Sequence, residues 1–291
     1  MDIKKLLKEK RPSLSDSSLN TYASTLNNLY KKVFKDKELD AKKFDDVETI
    51  MEHLKDIPAN KRKSILSALV VITNNGKYRE IMIGDITAYK ADIDKQEKTD
   101  DQKENWVSQD EIKEIYLKLK KVADPLLKKK THTVNELQQI QRYIIICVLG
   151  GIFIPVRRSK DYCDFTLYNI DTKLNYMEGD EFVFNSYKTA KTYSTQKVSI
   201  PKELRKIIEK WRSVSDNEWL LFDLNGSKLT NVKLNQRLQS ILGRKASVNM
   251  LRKSYLTSKY ADTMKEQKAM KETMSEMGSS MNQATTYVKL D

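Results

Sequence analysis

Through the first ninety or so residues the apolar positions repeat at helical spacing. Leu19, Tyr22, Leu26, Leu29, Tyr30 and Val33 fall on one helical face, behind Pro12 and a capping serine, Ser13 or Ser15. The pattern predicts a second helix over Val47–Leu54. A third opens after Pro58, turns Ile65, Leu66, Leu69, Val70 and Ile72 inward, and stops at Asn74-Asn75-Gly76. A fourth covers roughly 78–93. Residues 95–105 then hold no apolar side chain, which predicts a linker over 96–106 between a helical module, 1–95, and a second module, 107–291.

The second module begins with two capping-box sequences. Ser108-Gln109-Asp110-Glu111 starts an amphipathic helix with Ile112, Ile115, Tyr116 and Leu119 apolar, and Thr133-Val134-Asn135-Glu136 starts another. The apolar run 143–156 is broken by Gly150, Gly151 and Pro155. It is too short to span a bilayer and reads as a buried core helix. The period then changes: Phe182-Val183-Phe184 and Lys197-Val198-Ser199-Ile200 read as short strands. A helix over 202–211 follows Pro201, then a short apolar segment at 219–222, then helices over 231–242, 248–264 and 265–277. The expected fold class is mainly α with a small antiparallel sheet: a helical domain followed by a mixed α+β domain.

Charge narrows the partner. Among 291 residues, 53 are Lys or Arg and 40 are Asp or Glu, a net charge of +13. The isoelectric point is about 9.4. Such a surface attracts a polyanion, nucleic acid before membrane. Cys147 and Cys163 have neither metal-ligand nor redox spacing, and His53 and His132 are the only histidines, which argues against a zinc site. Met1-Asp2-Ile3-Lys4-Lys5 is not the start of a signal peptide, so an intracellular, reducing compartment, cytoplasm or nucleus, is expected.

Breaking a phosphodiester without a metal requires a nucleophile, cations on the non-bridging oxygens, an acid for the leaving oxygen, and firm positioning. The second module carries candidates in a fixed order. Pro155-Val156-Arg157-Arg158-Ser159-Lys160-Asp161-Tyr162 comes directly after the buried helix, with Phe165, Leu167, Ile170 and Asp171 downstream. Tyr187-Lys188-Thr189-Ala190-Lys191-Thr192 lies between the two strands. Asn249-Met250-Leu251-Arg252-Lys253-Ser254-Tyr255 opens a late helix, placing Asn249 and Arg252 on one face. Met277-Gly278-Ser279-Ser280 precedes Thr285-Thr286-Tyr287-Val288-Lys289-Leu290.

These four boxes, in this order, resemble the tyrosine recombinase (phage integrase) family of DNA breaking and rejoining enzymes. The family's first arginine follows a buried helix and precedes an acid by three residues, a pattern met by Arg158 and Asp161, with Arg157 as the alternative. Its hairpin lysine matches Lys188, with Lys191 the alternative. Its His-x-Leu-Arg-His box is met at Leu251, Arg252, Ser254 and Tyr255, with Asn249 and Lys253 in the histidine places. Its Leu/Met-Gly-His-Ser box is met with Ser279 in the histidine place, and its nucleophile matches Tyr287.

The resemblance implies a helical core-binding domain and a catalytic domain that clamp duplex DNA. Tyr287 would attack a phosphate to give a 3′-phosphotyrosyl link, Arg158 and Arg252 would stabilise the transition state, and Lys188 would protonate the 5′ oxygen. Arg157, Lys191 and Lys253 would add contacts to the DNA. No metal or nucleotide cofactor is implied. The expected function is site-specific recombination, most often integration of a mobile or viral element, by a dimer or tetramer on DNA. Asparagine at 249 can donate a hydrogen bond but cannot shuttle a proton, and serine stands at 279, so weakened activity is expected. A DNA-binding relative without the chemistry and a monomeric type IB topoisomerase are the alternatives. Few residues follow Tyr287, so the helix that family members exchange between subunits is expected to be missing or different.

Overall fold

The protein is described by a computed structural model covering residues 2–36, 38–168 and 170–289. Leu290, the last residue of the tyrosine box, lies outside the described residues. The chain is mainly helical with one small four-stranded sheet, and it divides into two units, Met1–Lys98 and Thr99–Asp291. No helix among the described residues is long and apolar enough to cross a membrane.

The first unit is all helical: α1 (Ile3–Lys10), α2 (Asp16–Val33), a 3-10 turn (Ala41–Asp45), α3 (Val47–Leu54), α4 (Ala59–Thr73) and α5 (Gly76–Asp94). Ser15 rather than Ser13 caps α2, its side chain accepting from Ser18 N–H at 3.2 Å. Asn74 in the left-handed region ends α4, as the Asn-Asn-Gly step leads one to expect. Leu7, Leu26, Phe44, Ile50, Leu54, Leu66, Leu69 and Tyr78 make a sealed core. Buried Asp85 takes a fork of two hydrogen bonds from Arg62, at 2.9 and 2.6 Å, so the carboxylate is not left unpaired.

The second unit runs α6 (Asp100–Glu104), α7 (Gln109–Leu126), α8 (Val134–Leu149), α9 (Ser159–Cys163), β1 (Phe165–Thr166), β2 (Asn175–Glu178), β3 (Glu181–Phe184), α10 (Ala190–Tyr193), β4 (Gln196–Ser199), α11 (Lys202–Val214), α12 (Asn231–Leu242), α13 (Val248–Glu276), a 3-10 turn (Met281–Gln283) and α14 (Ala284–Tyr287). The stretch expected as a linker is partly the short helix α6, and its end is packed. Buried Asn105 accepts from Lys245 N–H, the Trp106 carbonyl accepts from Arg244, and Val107 joins the core. Polar side chains here satisfy backbone groups of a neighbouring loop instead of facing only water.

The core centres on α8, buried on every side from Tyr143 to Leu149, as a helix apolar all round must be. Ile112 and Tyr116 of α7, Leu204, Ile208 and Trp211 of α11, Leu234 and Leu238 of α12, and Leu251 of α13 surround it. Trp211 stacks on Phe222 with centroids 5.8 Å apart. Both cysteines are buried free thiols, and burial raises both thiol pKa values, that of Cys163 to about 12, which disfavours the thiolate.

Two expectations are corrected. The sheet, in the order β1-β2-β3-β4, is mixed rather than antiparallel: β1 pairs with β2 in parallel through Phe165↔Asn175 and Thr166↔Tyr176, and only the other two pairings are antiparallel. A two-residue strand carries no alternation to read. The helices expected over 248–264 and 265–277 are one 29-residue helix, α13. No Gly or Pro interrupts it, and at the expected break Lys265 pairs with Asp262 at 2.9 Å, one turn back on the same helix.

Candidate functional site

The turn after α8 sets the geometry. Gly151 has φ +77°, and a Cβ there would come within 2.5 Å of the Tyr255 ring. Only glycine lets the chain leave α8 so sharply and lie so close to α13. The exit leads through buried Val156 to Arg157 and Arg158, at the start of α9. Arg252, one turn before Tyr255 on α13, donates from Nε to the Val156 carbonyl at 3.3 Å. Two boxes almost a hundred residues apart in sequence are thus brought together.

The three guanidiniums have different partners. Arg157, 17 % exposed, donates to Asp161 at 2.8 Å and to Gln196 Oε1 at 3.0 Å, and lies 3.9 Å over the Phe184 ring and 5.4 Å from that of Tyr187. It is spent on holding the base of the β3–β4 hairpin against α9. Arg158 is half-buried, and its guanidinium makes no hydrogen bond or ion pair among the described residues. Arg252 is half-buried, and among the described residues its single acceptor is a carbonyl. Desolvation, then the positive field of Arg158, lowers its proton affinity. Asp161 is the one carboxylate in the cluster. Burial raises its pKa, Arg157 opposes that rise, and its Oδ1 has no partner among the described residues. Three cations against one acid leave about two uncompensated positive charges, with two free guanidinium faces, a setting for a bidentate oxyanion such as a phosphate.

The remaining candidates divide. Asn249 and Lys253 are exposed on the turn of α13 that carries Arg252, their side chains unpaired among the described residues. Lys188 and Lys191 are exposed, also unpaired, in the eleven-residue connection between β3 and β4, part of which is α10. That connection is closed at its base: the Tyr187 hydroxyl donates to the Ser194 carbonyl, and Thr195 Oγ1 donates to Asn185 Oδ1 at 2.6 Å. Hence both lysines stand on a loop whose root is fixed to Arg157.

Ser279 and Tyr287 are not brought to the cluster. From Leu256 onward α13 leaves the core, and Leu256, Tyr260 and Met264 are exposed. Arg252 and Glu276 lie on one helix, roughly 36 Å apart at 1.5 Å per residue. The chain turns at Gly278, where Ser279 N–H donates to the Met274 carbonyl at 2.8 Å, and the 3-10 turn packs back on the end of α13. From there to Tyr287 the mostly helical segment recovers on the order of 20 Å at most. Among the described residues neither the Ser279 nor the Tyr287 side chain makes a hydrogen bond or ring contact with Arg157, Arg158 or Arg252. Ser279 hydrogen-bonds Gln283, and Tyr287 is 59 % exposed, its hydroxyl unpaired among the described residues.

Sequence reasoning missed the buried hub of this site. Asn175, fully buried at the start of β2, donates to the carbonyls of Asp161 and Ser186 at 2.7 and 2.9 Å and accepts from Asn185 and Ser186 N–H. It ties α9 to the root of the lysine loop. Gln196 was missed as well. A single amide in a polar stretch leaves no sequence signal.

Comparison with protein-family models, curated proteins and solved structures finds no match to this chain.

Proposed function

We propose that the protein is a DNA strand transferase of the tyrosine recombinase type, gripping one backbone phosphate between Arg158 and Arg252. The observation that carries this reading is the half-buried cluster in which these two guanidiniums have no anionic partner of their own among the described residues, while Arg157 takes Asp161. Bound there, a phosphate would satisfy both forks, and the same contacts would strengthen as negative charge builds in a pentacoordinate transition state. Asn249, on the same face of α13, supplies a neutral hydrogen bond to the phosphate. The phenolic oxygen of Tyr287 forms the bond to phosphorus, the bond to the 5′ oxygen breaks, and Lys188 or Lys191 gives that oxygen its proton. The phenolic proton passes to solvent, and a new 5′ hydroxyl reverses the step. Tyr287 stands away from the cluster, so attack requires α13 to bend beyond Ser254 or a second molecule to deliver its tyrosine.

That separation, with Asn249 and Ser279 where histidines would serve, favours a second reading: a DNA-binding protein that grips the phosphate without cutting. A nicked duplex that traps a covalent adduct decides between them. The wild-type chain should yield a protein–DNA band that is lost in Tyr287→Phe and falls by about a hundredfold or more in Arg252→Gln. Salt-sensitive binding that depends on Arg158 and Arg252 without any adduct selects the second reading. Binding that is indifferent to both arginines removes the two together.

A further inference from the structure

A second cationic recess, sharing no residue with the Arg158–Arg252 cluster, lies along α12. Lys233, Arg237 and Ser240 project from one face of that helix into a cavity of about 430 Å³, walled by Asp223, Leu224 and Leu229 from the preceding loop. Arg237 is half-buried, and Nη1 donates to Gln141 Oε1 at 3.0 Å. No carboxylate lies within ion-pairing distance of it among the described residues, and its Nε and Nη2 are unused. Gln141 is itself fully buried, its oxygen shared with the Phe222 N–H and its Nε2 without a partner among the described residues.

Nearby Arg142 donates to the Oγ and carbonyl of Ser240, at 3.0 and 3.2 Å. Among the described residues Asp223 is the only acid lining the recess, and it is occupied. Lys233 takes one oxygen at 2.6 Å, and the Asn225 and Ser227 amides take the other at 2.9 and 3.1 Å. Desolvation weakens the hold of Arg237 on its proton; Asp223 opposes this, and Arg142 adds a smaller push in the same direction as desolvation. A guanidinium drawn out of water beside another, with only a neutral acceptor, is costly unless an anion completes the site.

We propose that this recess binds a phosphate group, held by the free Nε–Nη2 fork of Arg237 with Lys233 at its side. Lys233 and Arg237 in the recess, with Arg142 beside it, against the one engaged acid favour a doubly charged oxyanion over a carboxylate. The phosphate comes either from a small phosphorylated molecule, whose remainder lies on Leu224 and Leu229, or from a nucleic-acid backbone.

The test follows the Arg237 Nε–Hε resonance of the full chain while inorganic phosphate replaces chloride at constant ionic strength, alongside thermal unfolding of wild type and Arg237→Gln. A saturable shift is expected, with phosphate raising the melting temperature. In Arg237→Gln, phosphate binding at this recess should weaken about tenfold or more. The melting temperature without phosphate should hold or rise, because an uncompensated cation has been removed. A purely structural Arg237 would behave oppositely, with a lower melting temperature and an intact phosphate increment, and that result overturns the proposal, as does an Nε–Hε signal that never saturates. Adenosine monophosphate and a short duplex, added in turn to the phosphate-bound chain, identify the source by which of them displaces phosphate. The same titration on Arg158→Gln/Arg252→Gln should still saturate at Arg237, so this site and the DNA-cutting reading stand or fall separately.

Discussion

At the scale of single residues, Arg157 and Arg158 show how neighbours in sequence can be assigned different work by the fold. Their side chains are the same, and nothing local says which is free. The distinction comes from Phe184 and Gln196, brought in from the hairpin. Arg157→Met keeps an apolar stem against Phe184 but leaves Asp161 buried without its cation. We expect a loss of about 3 kcal/mol, measured by denaturant unfolding near neutral pH. Burial already raises the Asp161 pKa above its unfolded value, and removing Arg157 raises it further. Such a group destabilises the fold above its folded pKa, and the penalty shrinks as pH falls and the carboxyl is protonated. The variant should therefore recover stability relative to wild type on acidification, and Arg157→Met/Asp161→Asn should recover part of it at neutral pH. A loss that is flat with pH would mean that lost packing, not the stranded charge, is responsible. Gly151→Ala tests the other constraint at this scale. The strained φ and the Tyr255 ring leave no room for the methyl, so a melting temperature unchanged by the substitution would contradict the close approach.

At the scale of elements, the sequence was most legible where structure is local. Both capping boxes form reciprocally, Ser108 with Glu111 and Thr133 with Glu136. At the second, the Lys129 side chain, then the Thr133 N–H, holds the Glu136 carboxyl down to about 2. Its folded value lies below the unfolded one, so its support for the start of α8 is complete above about pH 4.5 and is lost as pH falls toward 2. A carboxyl titration by nuclear magnetic resonance that places Glu136 at the ordinary glutamate value would remove this contribution. Legibility failed where pairing is distant or brief. The parallel β1–β2 pair rests on two residues and a buried asparagine, and the continuity of α13 decides where Tyr287 stands. The arginine boxes could be read as residue types in order, whereas the meeting of Arg252 with Val156 depends on the turn at Gly151 and on how α13 packs.

At the scale of the whole molecule, the excess of thirteen positive charges is spread over two units that each have a core of their own. Affinity for duplex DNA should fall linearly on a log–log plot against salt, with a slope set by the number of phosphates neutralised. Replacing Arg158 by Gln should reduce that slope by about one, because it removes one phosphate contact. An affinity independent of salt between low and physiological ionic strength would count against a backbone-gripping role altogether.

The outer turns of α13 carry almost no tertiary support, since little but their own backbone ladder and a few surface pairs keeps them helical. Uncoiling a turn there forfeits helix propensity and very little buried area, a small cost beside that of disturbing α8. Amide exchange should be fastest along that rod, between Tyr260 and Lys271, and slow at Leu251. A joint placed there could swing the terminal tyrosine through a wide arc while Arg252, a few turns back, kept its seat.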